Sequence, residues 1–292
     1  MNAQSIIKRH GGKWFFKNGS MRCPAHDDKR PSLMVWDTDN DIGVKCFAGC
    51  TDNVETWKNI KDILKGSGSP FIQNIVSENE KSIRTEAKRS EEARALWRQA
   101  RPIINTPGET YLHSRHIEDP IPESLRYHPK VFHSESKSSY PAILQAVCRY
   151  PDKKPVAVQR VFIKPDGTAK APVEPNKKML GPVRGGAVRL GKIDDKLLVG
   201  EGVESALSAQ QIFGIPAWAA LSASNFKTLN LPAHIGDIWI ARDNDAAGIK
   251  AATAAADRWT YEGKTVRILE PATPNGDFND DLLQMEKKPC RV

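Results

Sequence analysis

The tightest constraint on this chain is a spacing: Cys23-x2-His26 and, 19 residues further on, Cys46-x3-Cys50. Each pair is short enough to form a knuckle that turns both side chains toward one point. Thiolates plus an imidazole are the donors that tetrahedral Zn²⁺ takes. SLMVW (32–36) and IGVKCF (42–47) read as short strands around the turn-forming DTDND (37–41),. A two-stranded ribbon buries little apolar surface and would depend on the metal to stay folded. Gly49, inside the second pair, suits a turn with positive φ. Four protein ligands leave no open position for water, so the expectation is one structural zinc.

The remaining cysteines agree with a reducing setting. The chain has five, an odd number, three of them bunched in the clip, which fits metal binding better than a disulfide framework,. Cys148, in the apolar run AILQAVCRY, reads as a core residue, and Cys290 near the end gets no role. No run of 18 apolar residues exists, so no membrane span or membrane partner is expected,. MNAQSIIKRHGGKWFF has no apolar stretch behind its basic residues and is not a secretory signal, which leaves the cytoplasm as the expected location.

Charge is unevenly spread. The net charge is +4 over residues 1–100, +8 over 101–192 and −4 over 193–292. A basic front and middle suit a polyanion such as nucleic acid. Just before the clip, Lys13 and Arg22 flank Trp14, Phe15 and Phe16. Bases beside aromatics can hold a single strand by phosphate pairing and stacking, and Trp14 and Phe16 can equally be the ribbon's own small core. Residues 51–66 predict a short helix with Val54, Trp57, Ile60 and Leu64 on one face. Residues 66–90, rich in Gly, Ser and charge without clear periodicity, read as a flexible linker. The expected organisation is a ribbon at 1–65, a linker at 66–90, a basic α+β segment at 91–192 and an α/β core at 193–292.

In the middle segment, Ala93, Leu96, Trp97 and Ala100 mark an amphipathic helix. YPAILQAVCRY and KPVAVQRVFIKPDGT read as antiparallel strands joined near Pro151–Lys154. The run KKMLGPVRGGAVRLG (177–191) combines four basic residues with four glycines. Glycines admit close approach of a phosphate that Arg or Lys can pair. Lys178, Arg184 and Arg189, with Arg160 on the preceding strand, are therefore candidate nucleotide or nucleic-acid contacts, although Gly185-Gly186 can also be a plain turn.

The last hundred residues alternate strands with helices, the pattern of a parallel α/β sheet. Leu197–Val199 and Ile238–Ala241 read as buried strands, with further strands at 215–225 and 264–271. In such sheets functional groups gather beyond the carboxyl ends of the strands. Glu201, Asp243 and Asp245 all fall there, and GDFNDDLL (276–283) adds Asp277, Asp280 and Asp281. Carboxylates without His or Cys favour a hard cation, Mg²⁺ or Mn²⁺. Asp245 can alternatively be the N-cap of the Ala-rich helix that follows.

Taken together, GEGVESALSA and ARDNDAAGIKAA resemble the Toprim domains of phage- and plasmid-type primases, and the Cys-His-Cys-Cys ribbon resembles the zinc-binding domain of bacterial-type DNA primases. The stretch from YLHSRHI to LGPVRGGAVRL resembles the segment that precedes Toprim in those enzymes. The resemblance covers nearly the whole chain apart from 66–90. It implies a DNA primase that makes short RNA primers on single-stranded DNA by metal-dependent nucleotidyl transfer, in the replication of a mobile element. Glu201 would be a metal ligand or acid/base group, and Asp243 and Asp245 would hold catalytic Mg²⁺ or Mn²⁺. The basic middle would take template and ribonucleoside triphosphates, and a separate replicative helicase would be needed. Two departures stand out: the second zinc pair is spaced x3 rather than x2, and Ser205 lies where cellular primases often place an acid, next to Glu204. The same metal site would also serve a Toprim nuclease, and ribbon plus basic middle would serve a non-catalytic single-strand-binding accessory. A topoisomerase would need a nucleophilic tyrosine in a large further domain.

Overall fold

The structure is a computed structural model of the 292-residue chain. It describes residues 2–26, 28, 30–39, 41–65, 71–118, 120–274 and 276–285, with the backbone alone for 71–83. Cys290 lies outside the described residues. The chain divides into two compact units, Met1–Thr85 and Glu86–Val292.

The first unit is larger than the ribbon the sequence suggested. Four antiparallel strands, β1 (Lys13–Trp14), β2 (Asn18–Met21), β3 (Leu33–Asp37) and β4 (Ile42–Cys46), form one sheet in the order β1-β2-β3-β4. Helices α1 (Ala3–Arg9) and α2 (Val54–Lys65) complete it, and Ile6, Ile7, Ile60 and Leu64 are fully buried together with Leu33 and Val35. Each such aliphatic side chain contributes about 1.5–3 kcal/mol on burial, so a metal would not be the unit's only source of stability. Trp14 packs against this core. Phe16, at the tip of the β1–β2 hairpin, is 91% exposed. The two aromatics that the sequence treated alike therefore separate.

A long helix, α3 (Phe71–Gln99), runs through most of the stretch read as an irregular linker, and residues 66–70 lie outside the described residues. Its sequence lacks a strong apolar period, but from Phe71 it carries no Gly or Pro and is rich in Glu, Lys, Arg and Ala, which favour helix by intrinsic propensity,. Its last turns behave as read: Ala93, Leu96, Trp97 and Ala100 face a core formed with the second unit's antiparallel strands.

Those strands follow β5 (Arg101–Pro102) and α4 (Pro107–Ser114). They are β6 (Leu125–His133), β7 (Ser138–Arg149), β8 (Ala157–Phe162), β9 (Lys177–Leu180) and β10 (Gly186–Arg189). β7 and β8 pair antiparallel, as the sequence indicated. Then come β11 (Lys196–Gly200), α5 (Val203–Phe213), β12 (Ala217–Ala219), β13 (Asp237–Ala241), α6 (Ala246–Tyr261), β14 (Thr265–Leu269) and α7 (Phe278–Met285). One sheet carries the order β14-β13-β11-β12-β10-β7-β6-β5, with β8 and β9 branching from β7. β14, β13, β11 and β12 are mutually parallel, and β10 joins them antiparallel.

Strand β11 shows how the parallel part is covered on both faces. Leu198 belongs to the core on one face, with Val203, Ala206, Leu207 and Phe278 of α5 and α7. Leu197 and Val199 belong to the core on the other, with Ala251, Ala252, Ala255 and Trp259 of α6. A strand buried on both faces reads as a continuous apolar run, which is how LLV reads. The register aligns Gly200, Ala241 and Leu269 across the sheet. The residues that follow these three strands therefore leave the sheet along one edge.

Candidate active site

In the first unit the four clip residues converge. One donor atom from each of Cys23, His26, Cys46 and Cys50 lies within 4.8 Å of all the others. His26 Nδ1 is 3.0 Å from Cys50 Sγ and 4.0 Å from Cys46 Sγ. A zinc ion with Zn–S of about 2.3 Å and Zn–N of about 2.0 Å spaces its donors about 3.6–3.8 Å apart, so the set fits one such ion. Gly49 takes φ 89° to form the second knuckle. Behind the donors stands Asp28, which the sequence reading passed over. It lies 3.2 Å from His26 Nε2 and accepts from the Cys23 N–H, the Ser32 N–H and the Ser32 hydroxyl. Burial works against its charge, but these donors outweigh it and hold the carboxyl at about 2. A carboxylate on Nε2 leaves Nδ1 free to ligate.

In the second unit the acids gather at the aligned strand ends. Glu201 follows β11, and the Ala223 backbone N–H favours its charged form. Asp243, Asn244 and Asp245 form the turn between β13 and α6. Arg242 fastens that turn: Nη1 donates to Asn244 Oδ1 at 2.9 Å, and Nη2 pairs with Glu270 at 2.7 Å just past β14. Asp245 caps α6 by accepting from the Gly248 N–H at 2.6 Å, so the cap role is filled by Oδ1. Gly248 must be glycine for this arrangement, because a Cβ there would stand 2.6 Å from the Asp243 carbonyl oxygen and 3.2 Å from Asp245 Oδ1.

The electrostatics show acids in excess. Burial pushes the Asp243 carboxyl up to about 6, with Glu201, Asp277 and Asp245 adding to the rise and Lys177 opposing it. Glu201 is also raised, by burial and by Asp245 against the Ala223 hydrogen bond. Asp243 Oδ1 is buried without a hydrogen-bond partner. An unpartnered buried carboxylate oxygen facing other carboxylates fits a bound cation, and oxygen-only donors fit Mg²⁺ or Mn²⁺. The spacing is looser than in the clip: among the described residues, only the Cys/His set brings three or more such donors within 4.8 Å of one another. Mg²⁺ accommodates this, since it keeps several waters and uses few carboxylates.

Cations stand beside the acids. Glu204, in the first turn of α5, is 7% exposed. Arg115 Nε lies 3.4 Å from one of its oxygens, and Lys170 Nζ and Lys177 Nζ each lie 3.7 Å from the other. Burial, with Glu204 adding to it, pushes the Tyr111 phenol up. Lys177 acts on Asp243, and Lys170 feels Asp277 as well as Glu204. The two sets of opposite charge are thus electrostatically joined.

Comparison with known families matches residues 196–287 to the Toprim domain. Residues 196–287 are a Toprim domain. Residues 87–190 match a domain of unknown function, DUF7146. No curated protein matches the chain. Among solved structures, the chain is similar to the primase fragment of the bacteriophage T7 primase-helicase (18% identity, TM-score 0.39, 55% of this chain and 63% of that one). It is similar to a DNA primase domain from Pseudomonas aeruginosa (22%, 0.36, 54% and 52%). It is also similar to the zinc-binding and RNA polymerase domains of the Aquifex aeolicus primase (15%, 0.40, 98% and 82%). The matches to the first two span less than two thirds of those proteins' lengths.

Within the Toprim domain Glu201, Asp245 and Asp277 raise Asp243, and Asp245 raises Glu201. Asp280 and Asp281 serve local structure instead: Asp281 accepts from the Ala272 and Thr273 N–H groups, and Asp280 accepts from the Asp277 N–H. The basic residues named from the sequence lie in other settings. Lys178 pairs with Glu135 at 2.6 Å, and this pairing holds Glu135 at about 2. Arg160 is half-buried and donates to the Met179 carbonyl. Arg189 lies over the Tyr150 and Trp218 rings. Arg184 is exposed, beside the turn where Gly185 takes φ 76°. Lys13 and Arg22 are exposed in the first unit. Cys148 is half-buried at the end of β7, its thiol donating to the Lys153 carbonyl. Arg115, Lys170 and Lys177, which touch Glu204 beside the acids, were missed. Lys177 is the neighbour of a residue that was chosen, and strand alternation alone decides which of the two turns toward α5.

Among the described residues no helix is long and apolar enough to cross a membrane.

Proposed function

We propose that this protein is a DNA primase of the kind encoded by phages, plasmids or other mobile elements. It would join ribonucleoside triphosphates into short primers on a single-stranded DNA template by metal-dependent nucleotidyl transfer, working with a replicative helicase. The observation that carries the reading is the charge pattern at one edge of the Toprim sheet: burial with Glu201, Asp277 and Asp245 disfavours the Asp243 charge, and burial with Asp245 disfavours that of Glu201, while Arg115, Lys170 and Lys177 surround the neighbouring Glu204. That pattern takes a polyphosphate and a hard cation together.

When bound, Mg²⁺ or Mn²⁺ would offset the developing charge on the phosphate oxygens. The chain's own part is placement. Arg242 and the Asp245 cap on the Gly248 N–H fix the turn that holds Asp243 and Asp245, so these carboxylates are set before substrate arrives,. Glu201, raised by burial, is suited to ligate or to take the proton of the attacking hydroxyl. Arg115, Lys170 and Lys177 would bind phosphate oxygens as multiple charged donors. In the first unit the zinc clip, the exposed Phe16 and Lys13 would meet the template, with stacking on the ring contributing about 1–3 kcal/mol per base.

The test is incubation of the full chain with a pool of single-stranded templates, labelled ribonucleotides and Mg²⁺. Template-dependent extension products are expected, and Glu201→Ala or Asp243→Asn should abolish them while single-strand binding persists. Cleaved template in place of extended primer would make the protein a Toprim nuclease. Neither product on any template, with or without a helicase, would leave a binding accessory.

A further inference from the structure

We propose that Glu204 is a positioning residue of the phosphate trough: one buried carboxylate that gathers Arg115, Lys170 and Lys177 into a preformed cluster beside the acidic edge. This rests on the nucleotide-polymerising reading of the Toprim site and assigns a role that reading leaves open.

The three cations come from different parts of the chain. Arg115 follows α4, Lys170 sits in the loop bridged to Ile163, and Lys177 begins β9. Long flexible side chains from three elements would otherwise repel one another and spread into solvent. Glu204 gives them a common anchor, with both oxygens in use: Oε2 toward Arg115, Oε1 toward both lysines. Glutamate is rarely buried unless paired, and here the pairing leaves the group with more positive than negative charge. The side chains of Arg115, Lys170 and Lys177 stay 32–41% exposed, so each can meet a ligand from the solvent side.

The anchor itself is held firmly. Glu204 lies in a first helical turn whose Val203, Ser205, Ala206 and Leu207 are all buried. On the other side, Asn279 Nδ2 donates to the Arg115 carbonyl at 2.7 Å and to Ser208 Oγ at 2.9 Å. Asn279 stands two residues beyond Asp277, so the element that brings an acid to the site also fixes the backbone of a cation. Glu204 is distinct in kind from Glu201: its carboxylate faces cations and a phenol, whereas Glu201 feels Asp245. It therefore holds donors and does not hold metal.

A carboxylate this close also repels phosphate, and removing it would strengthen binding if charge alone mattered. The two effects have opposite signs, which makes the experiment decisive. The full chain is titrated with inorganic tripolyphosphate and with ATP, each with Mg²⁺, and primer synthesis is followed in parallel. Glu204→Gln should weaken both ligands about tenfold and raise the nucleotide KM by a similar factor with kcat within about threefold. Lys177→Met should also weaken them about tenfold. The double variant should be little worse than either alone, where independent sites would multiply. Glu204→Asp, which keeps the charge but retracts it, should fall between wild type and Gln, and it reads the same effect if the Gln variant does not fold. Equal or tighter binding by these variants, multiplicative losses, or a kcat collapse at constant KM would overturn the proposal. If the wild type binds tripolyphosphate yet makes no primers, the primase reading fails while the binding series still decides on Glu204.

Discussion

Asp243 allows a prediction that separates a metal site from an ordinary acidic turn. Its carboxyl sits at about 6 because of burial and the Glu201, Asp277 and Asp245 charges, against about 3.9 in an unfolded chain. A folded-state value above the unfolded one means that ionisation is penalised in the fold. The penalty is absent below about pH 4, grows as pH rises toward 6 and is fully present above it. At one pKa unit per 1.36 kcal/mol it amounts to about 3 kcal/mol, or about 2 after allowing for screening on the solvent side. Asp243→Asn keeps the shape and removes the charge. In chelator at pH 7.5 the variant should therefore be more stable than wild type by about 2–3 kcal/mol, a rise of about 4–10 °C in the second unit's Tm. At pH 4.5 the difference should shrink to about a third of that. Mg²⁺ at 100 times its Kd should stabilise wild type by about 2.7 kcal/mol and the variant much less. Calorimetry across pH with and without Mg²⁺ reads all four conditions. A variant less stable than wild type at pH 7.5 in chelator, or an equal Mg²⁺ effect on both proteins, would refute the reasoning.

Other consequences are quicker to check. Stripping the zinc should expose Cys23, Cys46 and Cys50 to a thiol reagent that reaches them slowly in the loaded protein; equal rates before and after would remove the metal from the clip. Asp28→Ala should lower zinc affinity about 10- to 100-fold in competition with a chromophoric chelator, through the lost support on His26, and an unchanged affinity would show that Asp28 only braces the loop. Gly248→Ala should displace the Asp243–Asp245 turn at a cost of about 1–3 kcal/mol and weaken Mg²⁺ binding. Gly236→Ala, which adds a Cβ with nothing within 4 Å, serves as its control, and like behaviour of the two would rule out a special packing constraint at Gly248.

What was legible in the sequence was whatever local spacing or period encodes. The zinc donors follow from two short pairs, and the parallel strands follow from apolar runs such as LLV and IWIA. Asp245 as a cap and Gly49 as a left-handed turn follow from single positions. Helix α3 is not legible by period, because the propensity of Glu, Lys, Arg and Ala favours it without an apolar stripe. The extra strands of the zinc unit escaped because KW and NGSM are too short and too polar to show alternation. Phe16 and Trp14 looked equivalent because nothing local says which residue stands at a hairpin tip.

The basic residues show where such reading stops. Sequence density of Lys and Arg pointed to the segment that holds Lys170 and Lys177, which lie within the +8 middle. It did not single out those two side chains. Lys178 is adjacent to Lys177, yet it meets Glu135 while Lys177 meets Glu204. The outcome depends on which face of β9 each occupies and on which carboxylate the fold brings to that face. Those carboxylates lie 43 residues before Lys178 and, for Glu204, on a later helix. A charge becomes a binding group only when its nearest opposite charge leaves part of it unsatisfied. At Lys178 one exposed glutamate matches one lysine. At Glu204 one buried glutamate serves three cations, and the surplus positive charge stands next to carboxylates that are themselves in surplus. Such paired, opposite imbalances are uncomfortable in the free protein and are relieved together by a phosphate bound with its cation. On the proposed reading, this edge of the Toprim sheet, to which the run at 177–191 contributes Lys177 alone among its basic residues, is where an anionic substrate would gain most.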